Sequence, residues 1–204
     1  MTPTEKRDLA MRLAPTDSDR ALVIARGIED SWFACQALAS VARFCPENSF
    51  RQLVKESLRV GSSAVDPYKV VACAAWPVRA IVERKHLDML DSVIPELLKR
   101  AEQIELFASR SEALFLIFQA IYPAGRERWF EVFQALRKAC VTLISWRQRR
   151  NLRDAVLIIW NDDKATAKDV ISQLEDAKLK NQIERKISSS ELFMPRSFFR
   201  SNAA

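Results

Sequence analysis

DSWFACQALASVARF, from Asp30 to Phe44, decides the fold because the chain repeats it. At an offset of 36, DPYKVVACAAWPVR (Asp66 to Arg79) aligns without a gap: Asp30 meets Asp66, Trp32 meets Tyr68, Ala39 meets Ala75 and Arg43 meets Arg79. A third copy, SRSEALFLIFQAIYP (Ser109 to Pro123), begins 43 residues later, and a weaker fourth, RNLRDAVLIIW (Arg150 to Trp160), follows at about 41. Recurrence at roughly 35 to 45 residues is the period of stacked helix pairs. One such pair cannot enclose its own apolar side, so neighbours stack and share an interior.

Two kinds of helix alternate around these copies. The copies themselves are apolar nearly all round. The segments between them are amphipathic, as in Phe50, Leu53, Val54 and Leu58 against Arg51, Gln52, Lys55, Glu56 and Arg59. Breakers mark the ends. Pro15 closes the first helix, and Gly27 closes a second over 18–26 in a left-handed C-terminal position. Gly61 terminates the helix before Asp66, and Asp66-Pro67 is a cap followed by proline in the first turn. Pro77 is expected to bend the second copy, and the helix carrying Leu87 to Leu98 to kink or restart at 92–95. Trp129 to Leu143 lines a long helix, and 165–188 reads as one last charged helix. The spacing predicts an all-α domain over residues 1–188 and a tail over 189–204, either mobile or capping.

Composition agrees with that class. With 3 glycines and 8 prolines in 204 residues, a loop-rich β architecture is excluded. The N-terminus lacks an apolar signal core and no apolar run approaches the ~18 residues of a membrane span, so a soluble, cytoplasmic protein without a membrane partner is expected. Cys35, Cys73 and Cys140 sit within apolar helical runs and no C-x-x-C occurs, so free buried thiols are expected. With one histidine, His86, no tetrahedral zinc site assembles, and no metal or cofactor is expected.

The alternation, the unit length, and Ala25-Arg-Gly-Ile-Glu-Asp30 leading into Ala37-Leu-Ala-Ser-Val-Ala-Arg43 resemble the degenerate bacterial HEAT-like helical repeats, most strongly over residues 17–84. The resemblance implies an all-α, right-handed α-α superhelix, a HEAT-like solenoid of about five helix pairs. It implies a non-catalytic scaffold or protein-interaction role, with another protein as partner.

Chemistry is sparse. Three glycines at expected helix ends leave no phosphate-binding loop, and no nucleophile motif surrounds His86. Glu29-Asp30 and Asp162-Asp163 fit caps and turns. No catalytic residue is assigned. Two binding surfaces stand out. The first is the aromatic set Trp32, Tyr68 and Trp76 on the copies, which is either enclosed by the stack or open to a partner. The second is the window 126–153, with eight basic residues against Glu127 and Glu131, a surplus equal to the net charge of +6. In it Trp146, Arg147, Arg149, Arg150 and Arg153 converge if helical; guanidiniums grip phosphates and an indole stacks on a base. The alternative reading is therefore nucleic-acid binding. HEAT-like DNA glycosylases work with a basic concave surface, tryptophans and an aspartate, here Trp146, Trp160 and Asp154. The opposing reading is a solvated turn between helices whose arginines pair with Asp154, Asp162 or Asp163, with Trp146 packed as core. In the tail, Leu192-Phe-Met-Pro and Phe198-Phe199 read equally as a cap on the last repeat or as a short linear motif.

Overall fold

A computed structural model of the chain describes residues 1–189 and 193–199, and among these there are helices and turns but no strand. The α-helices in order are α1 (Pro3–Leu13), α2 (Ser18–Arg26), α3 (Ser31–Ala42), α4 (Glu47–Ser62), α5 (Pro67–Cys73), α6 (Ala75–Glu83), α7 (Leu90–Glu102), α8 (Phe107–Ile121), α9 (Arg126–Ala139), α10 (Trp146–Trp160), α11 (Lys164–Ser172) and α12 (Ala177–Ser188). Among the described residues no helix is long and apolar enough to cross a membrane.

The repeated segments lie side by side. α3 touches α5 and α6, these touch α8, α8 touches α10, and α10 touches α12, while α1 packs on α3. α2, α4, α7, α9 and α11 each lie against the helix or helices just before them in the chain. This arrangement explains the two compositions. Helices of the first row are flanked on several sides, and Ala37, Ala39, Val71, Ala75, Ala113, Ala120, Ala155 and Val156 are wholly buried. Helices of the second row bury one stripe, such as Phe50, Leu53, Val54 and Ser57 on α4.

Polar contacts follow the same period. Arg51 pairs with Asp88, Arg84 with Glu47, Arg126 with Asp163 and Arg128 with Asp91, each 37 residues apart. The Tyr122 hydroxyl donates to the Ile158 carbonyl, 36 residues away, and to Asp162. Arg43 and Arg79, equivalent residues of two copies, share the Glu83 carboxylate at 2.5 and 2.8 Å. Exposed pairs of this kind contribute little to stability individually; repeated at one period, they hold each unit in register with the next.

Several boundaries differ from the sequence reading, each for a local reason. Gly61 does not end its helix. It lies inside α4, where an added Cβ would sit 2.8 Å from Cys73 Sγ and 3.0 Å from Cys35 Sγ. Gly27 has φ −82°, so its role is not left-handed; Gly125, with φ +97°, is the glycine that needs its freedom. The second copy breaks at Ala74, three residues before Pro77. Proline has no N–H for the carbonyl four residues back, and the Cys35 thiol donates instead to that Cys73 carbonyl at 3.6 Å. α7 runs unbroken through Pro95, after a single 3-10 turn at Leu87–Met89. α9 ends at Ala139, and Leu143 takes φ +44°. The expected last helix is two, because Asp176 caps α12 by accepting from the Leu179 N–H at 3.0 Å. The four cysteines are free and buried.

Candidate functional site

Matched positions of the first two sequence copies meet in an aromatic cluster. Asp30 accepts from the N–H groups of Trp32 and Phe33, and its counterpart Asp66 accepts from the Tyr68 N–H at 2.9 Å. These caps fix the matched aromatic residue two positions on, at the start of α3 and of α5. Trp32 and Tyr68 then stack, with centroids 6.4 Å apart and planes at 19°. Trp76 meets Trp32 edge-on at 6.2 Å. The structure therefore brings Trp32, Tyr68 and Trp76 together on one side of the first row. Trp32 and Tyr68 are half-buried there; Trp76 is 7% exposed.

Trp76 is covered by the tail. Residues 193–199 carry no regular secondary structure and cross the first row against chain order. Asn161, at the end of α10, donates its amide to the Phe193 carbonyl at 3.2 Å. Gln119 on α8 accepts from the Arg196 N–H at 2.9 Å. The Trp76 indole on α6 donates to the Phe198 carbonyl at 3.1 Å. The Phe198 ring stands perpendicular to Trp76 at 5.4 Å and is 5% exposed. The Arg196 guanidinium lies over the Trp76 ring, and Phe199 lies under Arg43 at 4.1 Å. Neighbouring helix axes lie roughly 8–10 Å apart. The six residues from Phe193 to Phe198 cross two such spacings, about 16–20 Å, near the span of an extended chain, with a bend at 198–199. Beyond Phe198 the depression continues between α1 and α3, lined by Arg7, Asp8, Met11, Arg12 and Gln36. What the sequence suggested for residues 190–192 and 200–204 lies outside the described residues.

The basic window adjoins this face. Tyr68 is the link: burial pushes its phenol up, the Glu112 carboxylate adds to the rise, and Arg147 opposes it. Trp146 is not packed as core: as the first residue of α10 it is 63% exposed, with Arg147 and Arg150 over its ring at 5.8 and 5.0 Å. The arginines themselves have acidic partners. Arg147 and Arg150 approach Glu112 at 3.6 and 3.8 Å, Arg149 holds Asp176 at 2.8 Å, and Arg153 holds Asp154 at 2.7 Å. Those partners include Glu112 and Asp176, which lie outside the window and were not weighed in the sequence.

Three residues considered together from sequence are spread out. Trp146 and Trp160 are the two ends of α10, about 21 Å apart at 1.5 Å per residue. Asp154 lies between them and is 6% exposed; burial pushes its carboxyl up, against the pull of Arg153 first and then of Arg150 and Lys186. His86 stacks on Phe50 at 4.3 Å and reaches Glu47 at 2.7 Å, bridging α4 to the turn before α7.

Sequence reasoning did not single out Gln119 or Asn161, which bind the backbone of residues 193–199. A signal for Gln119 was present. α3 and α8 each carry a single buried carboxamide, Gln36 and Gln119, in an otherwise apolar stretch, and such a group requires a hydrogen-bond partner. Gln36 accepts from Arg7, and Gln119 accepts from the tail. No family model, no curated protein and no solved structure matches the chain.

Proposed function

We propose that this chain is a non-catalytic, HEAT-like helical-repeat module that recognises another protein across its first row of helices. In this reading residues 1–188 form one domain of five helix pairs: α1 with α2, α3 with α4, α5 and α6 with α7, α8 with α9, and α10 with α11. The observation that carries it is the aromatic cluster of Trp32, Tyr68 and Trp76. It is contributed by successive copies and gathered on a face that already holds a length of polypeptide. Half-buried Trp and Tyr side chains offer large contact area with little entropy to lose, the property of residues that dominate protein interfaces.

The test is selection of random peptides on the full chain. Clones should be recovered whose binding falls at least tenfold on Trp32→Ala or Tyr68→Ala substitution. An exhaustive library that yields no clone sensitive to either change would remove this reading.

A second reading, nucleic-acid binding by residues 126–153, has the exposed Trp146 in its favour. Against it stand the acids that already engage Arg147, Arg149, Arg150 and Arg153. A phosphate must displace those acids before it can be gripped. A mobility shift at low salt that disappears near ~0.3 M, and is abolished by glutamine at all four arginines, would support it.

A further inference from the structure

The side chains that hold residues 193–199 contact its backbone. Asn161 donates to the Phe193 carbonyl, Gln119 accepts from the Arg196 N–H, and Trp76 donates to the Phe198 carbonyl. They come from α10, α8 and α6, three adjacent members of the first row, so the helix spacing acts as a ruler for an extended chain. Side-chain contacts concentrate on Arg196 and Phe198 at Trp76, with Phe199 under Arg43 at 4.1 Å. Arg196 lies over the Trp76 ring at 5.6 Å, and Phe198 stands against the edge of the same ring. Backbone bonds supply affinity without regard to sequence, and pockets for particular side chains supply specificity; that division is the physics of extended-peptide recognition. The seat also extends past the tail: the depression between α1 and α3 continues beyond Phe198, and Trp32 and Tyr68 remain half-buried beside it.

We infer that the face formed by α3, α6, α8 and α10 is a binding groove for an extended peptide carrying arginine two residues before an aromatic residue, and that residues 193–199 are its internal pseudo-ligand. The inference rests on the interaction-module reading above and adds the ligand class and its regulation. The partner segment takes the same three backbone bonds after the tail leaves, and its flanking residues reach the free part of the depression and the Trp32–Tyr68 pair. A tethered segment has an effective concentration on the order of 1 mM. A free segment with intrinsic Kd of about 10–100 μM is then weakened roughly ten- to hundredfold by the tail, because only the fraction with an open groove can bind.

The probe is a fluorescent peptide, Phe-Met-Pro-Arg-Ser-Phe-Phe, titrated by anisotropy against full-length protein. Two variants release the tail differently. Phe198→Ala removes the ring that packs on Trp76. Arg196→Pro removes the N–H that Gln119 accepts from while leaving every residue of the groove in place. Circular dichroism and a thermal melt establish that each variant is folded. Either folded variant should bind the probe at least tenfold more tightly than the unsubstituted chain, and Gln119→Ala added to it should reverse the gain. A probe with both Arg and the central Phe replaced by alanine should not bind. Equal affinity of the variants and the unsubstituted chain overturns the inference, as does a gain that survives Gln119→Ala. If selected random peptides bind through Trp32 and Tyr68 yet are indifferent to tail release, the module reading stands and the pseudo-ligand alone fails.

Discussion

Gly61 shows how one missing methyl group sets the approach of two helices. It sits in α4 with the thiols of Cys35 and Cys73 where a side chain would be. Alanine there raises helix propensity by about 1 kcal/mol, but overpacking a filled site costs roughly 1–3 kcal/mol. Gly61→Ala should therefore lower the urea midpoint, and Cys73→Ala in the same chain should restore much of the loss by vacating the space. A midpoint raised by Gly61→Ala would show that the helices part freely. Asp163 offers a second measurement at this scale. Thr166 donates to it through its hydroxyl and its N–H, and Arg126 pairs with it, so its carboxyl is held down at about 2. A depressed carboxyl contributes stability that is present above the usual unfolded value near ~3.9 and lost as pH falls toward 2. Asp163→Asn should flatten that acid limb of a stability–pH curve and leave the remaining slope to other groups. An unchanged limb would place the loss elsewhere. Gly61 was visible in the sequence, but its purpose was not: glycine reads first as a terminator, and only the packing partner reveals a close approach.

Among the helices, the repeated copies were legible and the last turn of the chain was not. Asp30 and Asp66 announce α3 and α5 because each precedes a clean apolar run. Asp176 has no such contrast. It stands in Leu-Glu-Asp-Ala-Lys, where charge is continuous and the 3.6-residue pattern of α11 passes nearly in phase into α12. The break depends on the Asp176 side chain serving both Leu179 N–H and Arg149, and Arg149 comes from another helix. Asp176→Ala should cost about 1 kcal/mol from the cap alone. Amide exchange should locate the damage in the first turn of α12 and spare α8. Uniform acceleration throughout the chain would contradict a local role. The kinked second copy follows the same logic. Pro77 signalled a distortion, and the carbonyl it leaves unpaired four residues back, Cys73, marks where the break falls; that this carbonyl meets the Cys35 thiol, 38 positions earlier, was not legible.

Taken as a whole, the molecule is held by contacts at two ranges. Several ion pairs and the tyrosine bond join residues 36 or 37 apart, so each helix pair answers chiefly to its neighbours. Nearest-neighbour coupling predicts graded opening, with free energies lowest at the ends of the row. Hydrogen exchange should find α1, α2, α11 and α12 opening before α6 and α8. Phe198→Ala should leave that order intact while hastening exchange in α6 and at the end of α8. Loss of the gradient, with all helices opening together, would argue against a linear array. The aromatic cluster was readable as a candidate because its members recur at the period. Its occupant was not, because no local pattern tells which face an irregular segment will return to.

The Trp76–Phe198 hydrogen bond joins residues 122 apart, more than three times the separation of the ion pairs that align successive units. Folding rates fall as contacts become less local, and a longer loop adds closure entropy only logarithmically. These separations predict that the helices dock first, by short-range contact of neighbours, and that residues 193–199 arrive afterwards. During refolding from denaturant, a fast recovery of helical ellipticity should precede a slower quenching or shift of Trp76 emission, and Phe198→Ala should erase the slow phase alone. Each newly folded molecule would consequently pass through an interval in which Trp76 stands uncovered.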